Sequence, residues 1–95
     1  MIKNNHAFVS DGLPALLPRL WRFAYTLSHS PDIAEDLVQA SCVRALERAE
    51  QFQQGTNLDR WVFTILSSIW KNQLRSNAIR QGQSHVPAED VLTID

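Results

Sequence analysis

The sequence predicts an all-α domain, a compact bundle of three main helices. Three observations carry that prediction. Apolar residues recur at steps of three and four along most of the chain, the spacing that lines one side of a helix. Only three Gly and four Pro interrupt 95 residues, and 44% of the composition is apolar, which suits a globular helical chain. No segment of any length alternates apolar and polar residues as a half-buried strand would. The length supports one small domain.

The first helix is expected over residues 13–28. Asp11 or Gly12 can cap it, and Pro14 suits its first turn. Leu16, Leu17, Leu20, Phe23, Ala24 and Leu27 recur at helical spacing. Pro18 cannot donate a backbone hydrogen bond, so a start or a bend is expected there. The second helix has the clearest start in the chain. Ser30 is a good N-cap, Pro31 fits the first helical position, and Asp32 and Glu35 favour the positive end of the helix dipole. It is expected to run to about Glu50, where "QFQQGTN" breaks the pattern and Gly55 supplies a turn. The third helix is expected from the Asn57 cap to about Arg80. Leu58, Trp61, Val62, Ile65, Leu66 and Ile69 form its broad core face. Arg60, Thr64, Ser67, Ser68, Lys71 and Arg75 make one polar, basic stripe on its other side.

Charge separates the segments. Residues 31–50 hold five acids against two bases, residues 51–82 hold four bases against one acid, and residues 83–95 hold three acids. Two partners of opposite character would suit that distribution, and so would ordinary surface charge. The net charge of −1 argues against a protein that coats nucleic acid by bulk attraction. Catalytic and metal chemistry find no constellation. His6, His29 and His85 are scattered, there is no Gly-rich phosphate loop, and no His or Cys pair has metal-ligand spacing. No cofactor is expected. The single cysteine, Cys42, allows no internal disulfide and reads as a small, partly buried filler. No apolar run approaches a membrane span, and the N-terminus lacks the apolar core of a signal peptide. A cytoplasmic protein without a membrane partner is expected.

The second helix raises a question. In "AEDLVQASCVRALERAEQF", Leu37, Val38, Ser41 and Ala45 share one side. Val43 and Leu46 lie away from it, beside Asp36, Gln39 and Glu47. An apolar centre with a polar rim is the ordinary anatomy of an interface. Burial of both sides within a bundle is the alternative.

Read with its neighbours, this helix resembles region 2 of bacterial sigma factors, closest to the extracytoplasmic-function (ECF) branch of the sigma-70 family. "LPALLPRLWRFAYTLS" looks like the helix that opens region 2, and "AEDLVQ" with "RALERAEQF" looks like the next. "LDRWVFTILSSIWKNQLRSNAIR" looks like the helix that reads the promoter −10 element. Together they span residues 13–80 in order. The resemblance implies that the second helix docks on RNA polymerase core, at the β′ clamp helices, through Asp36, Gln39, Cys42, Val43, Leu46 and Glu47. It implies that the following loop takes a base flipped from the non-template strand of −10 promoter DNA. Gln53, Gln54, Thr56 and Asn57 would face that base. Arg60, Thr64, Ser68, Lys71, Asn72 and Arg75 would line the strand, the cations on phosphates. Trp61 and Trp70 are expected to be buried packing rather than stacking platforms. Ala40, Ser68 and Asn72 depart from the family pattern, which often has an acid, Asn and Asp there. An anti-sigma factor is a further implied partner.

The implied organisation is an N-terminal tail over 1–11, a region 2 domain over 12–82 and the start of a linker over 83–95, with nothing resembling region 4. The implied role is transcription initiation without catalysis. Two rivals remain: a sigma-like decoy that binds an anti-sigma factor, and an unrelated helical DNA-binding domain.

Overall fold

The computed structural model describes residues 4–80, with side chains through residue 77. The expected linker, 83–95, lies outside the described residues. Helix α1 spans Asn5–Ser28, α2 spans Pro31–Glu47 and α3 spans Leu58–Arg80, with a short 3-10 turn at Ala49–Gln51. The described residues form no β-strand, so the fold is all-α as expected.

Helix α1 starts eight residues before the expected position. Residues 5–11, read from the sequence as tail, are helical. Asn4, not Asp11 or Gly12, is the N-cap, its Oδ1 accepting from the Ala7 amide at 2.7 Å. Burial is the physical reason: Val9 is wholly enclosed and Phe8 stacks on Phe52. Pro14 and Pro18 then fall inside the helix. Each removes one backbone hydrogen bond, but both sit on the exposed side, where water can satisfy the freed carbonyls. Leu17, one of the apolar residues recurring at helical spacing, is exposed.

His29 ends α1 in the left-handed conformation, φ 55°, and its amide donates to the Tyr25 carbonyl at 2.7 Å. Ser30 follows at once and caps α2, its Oγ accepting from the Ile33 amide at 3.3 Å. Two residues thus join α1 to α2 as a tight helical hairpin. Helix α2 ends at Glu47, short of Glu50, because the chain tightens into the 3-10 turn there. Asn57 caps α3 as expected, with Oδ1 accepting from the Arg60 amide at 3.1 Å.

The core is one cluster. Leu13, Leu16, Leu20 and Ala24 of α1 meet Ala34, Leu37, Val38 and Ala45 of α2 and Val62, Ile65, Leu66 and Ile69 of α3. Leu20, Leu37 and Leu66 are fully enclosed, and each such side chain contributes about 1.5–3 kcal/mol by burial. Ser41 is the one buried polar side chain among the described residues. Its hydroxyl donates to the Leu37 carbonyl at 2.6 Å, which offsets the cost of removing it from water. Gly12 lets α3 approach α1, since a Cβ there would lie 2.5 Å from Leu58 Cδ2. Arg19 of α1 reinforces the same junction. It pairs with Asp59 at 2.7 Å and lies over the Phe63 ring.

Candidate functional site

Two surfaces stand apart from the core. The first is the outward side of α2. Helix geometry sends Ala34, Leu37, Val38, Ser41 and Ala45 inward, and all five are buried. Asp36, Gln39, Val43 and Glu47 are left on the opposite side, all exposed. Val43 is 54% exposed, the most exposed of the large apolar residues among those described. Two shallow hollows flank it. One, of about 510 Å³, is lined by Asp36, Gln39, Ala40, Val43, Arg44 and Glu47. The other, of about 820 Å³, is mainly apolar and lies between helices, with Leu17, Pro18 and Trp21 of α1 facing Val38, Gln39, Cys42 and Val43 of α2.

The six residues expected on this side do not behave alike. Asp36, Gln39, Val43 and Glu47 stand clear of the core. Cys42 and Leu46 are half-buried and pack against it from the edge. Burial pushes the Cys42 thiol above its ordinary value, which favours the protonated form at neutral pH. The alternative of a fully buried second side does not hold for α2. Sequence reasoning missed the α1 contribution. Leu17 and Trp21, each nearly 40% exposed, were indistinguishable from core positions by spacing alone. The Trp21 ring stacks on Tyr25 at 5.3 Å, continuing an apolar strip along α1.

The second surface is the loop before α3 and the first turns of that helix. Gln53 and Thr56 close a turn, with the Thr56 amide donating to the Gln53 carbonyl at 3.1 Å and the Thr56 hydroxyl at 2.6 Å. Gly55 supplies the positive φ, 98°, that the third position of such a turn requires. A hollow of about 340 Å³ opens beside it, lined by Thr56, Asn57, Arg60, Trp61 and Thr64. Trp61 is half-buried, with its ring 5.0 Å from that of Phe52. It is therefore both packing and wall, where packing alone was expected.

The loop's polar groups are largely engaged. The Asn57 oxygen caps α3, and Gln54 Nε2 donates to Asn5 Oδ1 at 2.8 Å. Gln53 and Asn57 are exposed and Gln54 is half-buried. Along α3, Arg60, Thr64, Ser68, Asn72 and Arg75 are exposed and Lys71 is half-buried. Arg60, Thr64, Ser68, Lys71 and Arg75 fall on one side of the helix, as their spacing dictates. Asn72 stands at its edge. Among the described residues no group of His, Cys, Asp and Glu is placed to hold a metal ion. No described helix is long and apolar enough to cross a membrane.

The described helices thus present one apolar-centred side on α2 and one polar, cationic side on α3. The chain belongs to the sigma-70 family: the model of sigma-70 region 2 matches residues 14–80. Its relatives place it in the ECF branch. It is 43% identical over 65 residues, 68% of this chain, to the ECF RNA polymerase sigma factor EcfG of Rhodopseudomonas palustris (strain TIE-1). It is 31% identical over 78 residues, 76% of this chain, to the ECF RNA polymerase sigma factor SigE of Mycolicibacterium smegmatis (strain ATCC 700084 / mc(2)155). The chain spans about a third of the length of these relatives, 36% and 30%. No solved structure matches it.

Proposed function

We propose that this domain acts in transcription initiation by docking on RNA polymerase core through α2 and holding the non-template strand of the −10 element through the loop and α3. It positions its partners and catalyses nothing. The observation that carries this reading is the side of α2 turned away from the core. Val43 stands 54% exposed among Asp36, Gln39 and Glu47, although the same helix already buries a complete inner side. Val43 also borders the mainly apolar hollow shared with exposed Leu17 and Trp21, and it is such a contiguous patch, rather than a lone surface valine, that marks an interaction surface.

The DNA half of the reading rests on chemistry and size. The hollow beside Trp61 is large enough for one nucleobase and is lined by residues carrying an indole, two hydroxyls and a guanidinium. Arg60 and Arg75 project along the stripe that would follow the phosphates. An anti-sigma factor is the further partner in this reading, competing for the α2 side and its apolar hollow.

The test is capture of RNA polymerase core by the purified chain. Wild type should retain core, and Val43→Asp should lose it by about 30-fold, the equivalent of an interface anchor of roughly 2 kcal/mol. Equal retention by a folded Val43→Asp protein would remove the docking side from the account.

A further inference from the structure

We infer that Asn5 is a positioning residue for base selection: it fixes the Gln53–Thr56 turn in place beside the Trp61 hollow without touching nucleic acid itself. The inference rests on the promoter-reading function proposed above and adds a determinant from the far end of the chain.

The side chain of Asn5 faces the loop across 49 residues of sequence. Its Oδ1 accepts from Gln54 Nε2 at 2.8 Å. Its Nδ2 donates to the Phe52 carbonyl at 2.6 Å and lies 3.4 Å from the Glu50 carbonyl. One amide group thus binds the loop at its entry and at its second residue. Hydrogen bonds between Gln53 and Thr56 lie within the turn, so they fix its shape rather than its place on the domain. The bonds to Asn5 tie it to α1.

A second link runs parallel to the first. Phe8, one turn further along α1, stacks on Phe52 at 5.8 Å, and Phe52 packs on Trp61 at 5.0 Å. Trp61 is a wall of the hollow. The first turns of α1 therefore hold both the turn and the wall between which a base would sit. This gives the early start of α1 a purpose beyond adding Val9 to the core. A shift of the turn by a fraction of an ångström would misalign donors with a base edge, while the cations of α3 would still meet phosphates.

The experiment compares the full chain with Asn5→Ala, Asn5→Asp and Gln53→Ala. Asn5→Asp keeps the acceptor for Gln54 and puts a carboxylate oxygen against the Phe52 carbonyl. It also keeps the fold, because an acid at the first helical position favours α1. The probe is a pool of single-stranded DNA randomised over a short run of positions, bound by the immobilised chain and sequenced. Amide hydrogen exchange is read on the same proteins.

Wild type should enrich particular bases, and Gln53→Ala should change which base is enriched at one position. Both Asn5 variants should lower enrichment at that same position by about three- to tenfold, the range expected for a lost hydrogen bond. Affinity for the unselected pool should stay within about twofold, since phosphate contacts carry no base identity. Exchange should quicken at residues 53–57 and remain unchanged in α2. If Gln53→Ala changes the preference while both Asn5 variants enrich as wild type does, Asn5 is only structural and the inference falls. Absence of any enrichment by wild type would overturn the promoter reading itself, and the inference with it.

Discussion

Val43 and Leu46 stand three residues apart on α2 in different surroundings. Val43 projects from the outer side, whereas Leu46 is half-buried and touches the core cluster. The two should separate docking from folding. Val43→Asp should leave the melting midpoint within about 3 °C, because a surface substitution rarely moves stability by more than about 0.5 kcal/mol. Leu46→Asp should lower it by several degrees, since a carboxylate there must be partly desolvated. Core capture and a thermal melt on both proteins check this. A Leu46→Asp protein as stable as wild type would show that Leu46 belongs to the outer side alone. Cys42 gives a second prediction. Its thiol titrates above its ordinary value of 9.0 because burial disfavours the thiolate. The folded state therefore holds the proton more tightly than the unfolded one. Stability from this group is intact at neutral pH and is lost as pH rises from about 9 through the folded value. Alkylation of Cys42 by iodoacetamide at pH 8 should be slower in the folded protein than in urea; equal rates would contradict the shift.

At the level of the element, the α1–α2 corner is decided by caps. Ser30 receives the Ile33 amide, and nothing else in its side chain could fill that role once the hydroxyl is removed. Ser30→Ala should cost about 1 kcal/mol. His29 sits one residue earlier at φ 55°, a region costly for residues with a Cβ. His29→Gly should therefore stabilise the domain, by a few tenths to about 1 kcal/mol. The gain is limited because glycine also frees the unfolded chain and because the edge contact between His29 and Tyr25 is lost. Urea denaturation of the two variants, read by circular dichroism, should give midpoints on opposite sides of wild type.

At the level of the molecule, the two surfaces proposed to meet partners lie on different helices, so each can be perturbed separately. Arg75 is exposed and lies on the α3 stripe, while Lys71 on the same stripe is half-buried, which makes Arg75 the cleaner probe. Arg75→Ala should weaken single-stranded DNA of every sequence by a similar factor. It should also flatten the salt dependence by about 0.7 in log–log slope for one lost phosphate contact. Retention of RNA polymerase core should be unchanged. Titrations at several salt concentrations decide the matter, and a change of base preference in Arg75→Ala would assign it to reading instead of positioning. The intact chain should also prefer single strand to duplex, because opening a duplex must be offset by the same small surface.

Helical class, the Ser30 and Asn57 caps, the inward side of α2 and the α3 stripe were all legible in the sequence. Each follows from local rules, the 3.6-residue period and the need to satisfy the free amides at a helix start. The resemblance to region 2 was legible too, since it rests on three segments in order. What the sequence left undecided depends on residues far apart in the chain. Leu17 and Leu16 are adjacent leucines at equally suitable spacing, and only the position of α2 buries one and exposes the other. The start of α1 was misplaced because Asp11, Gly12 and Pro14 form a plausible local signal. The helix instead extends to Asn5 because Phe8 and Val9 find Phe52 and the core some forty residues later. The loop amides looked alike as base readers. The fold divides them: Asn57 caps a helix, Gln54 is held by Asn5, and Gln53 stays exposed. Local periodicity fixes which side of a helix is apolar, but only tertiary packing decides how much of that side is covered and which polar groups are already taken.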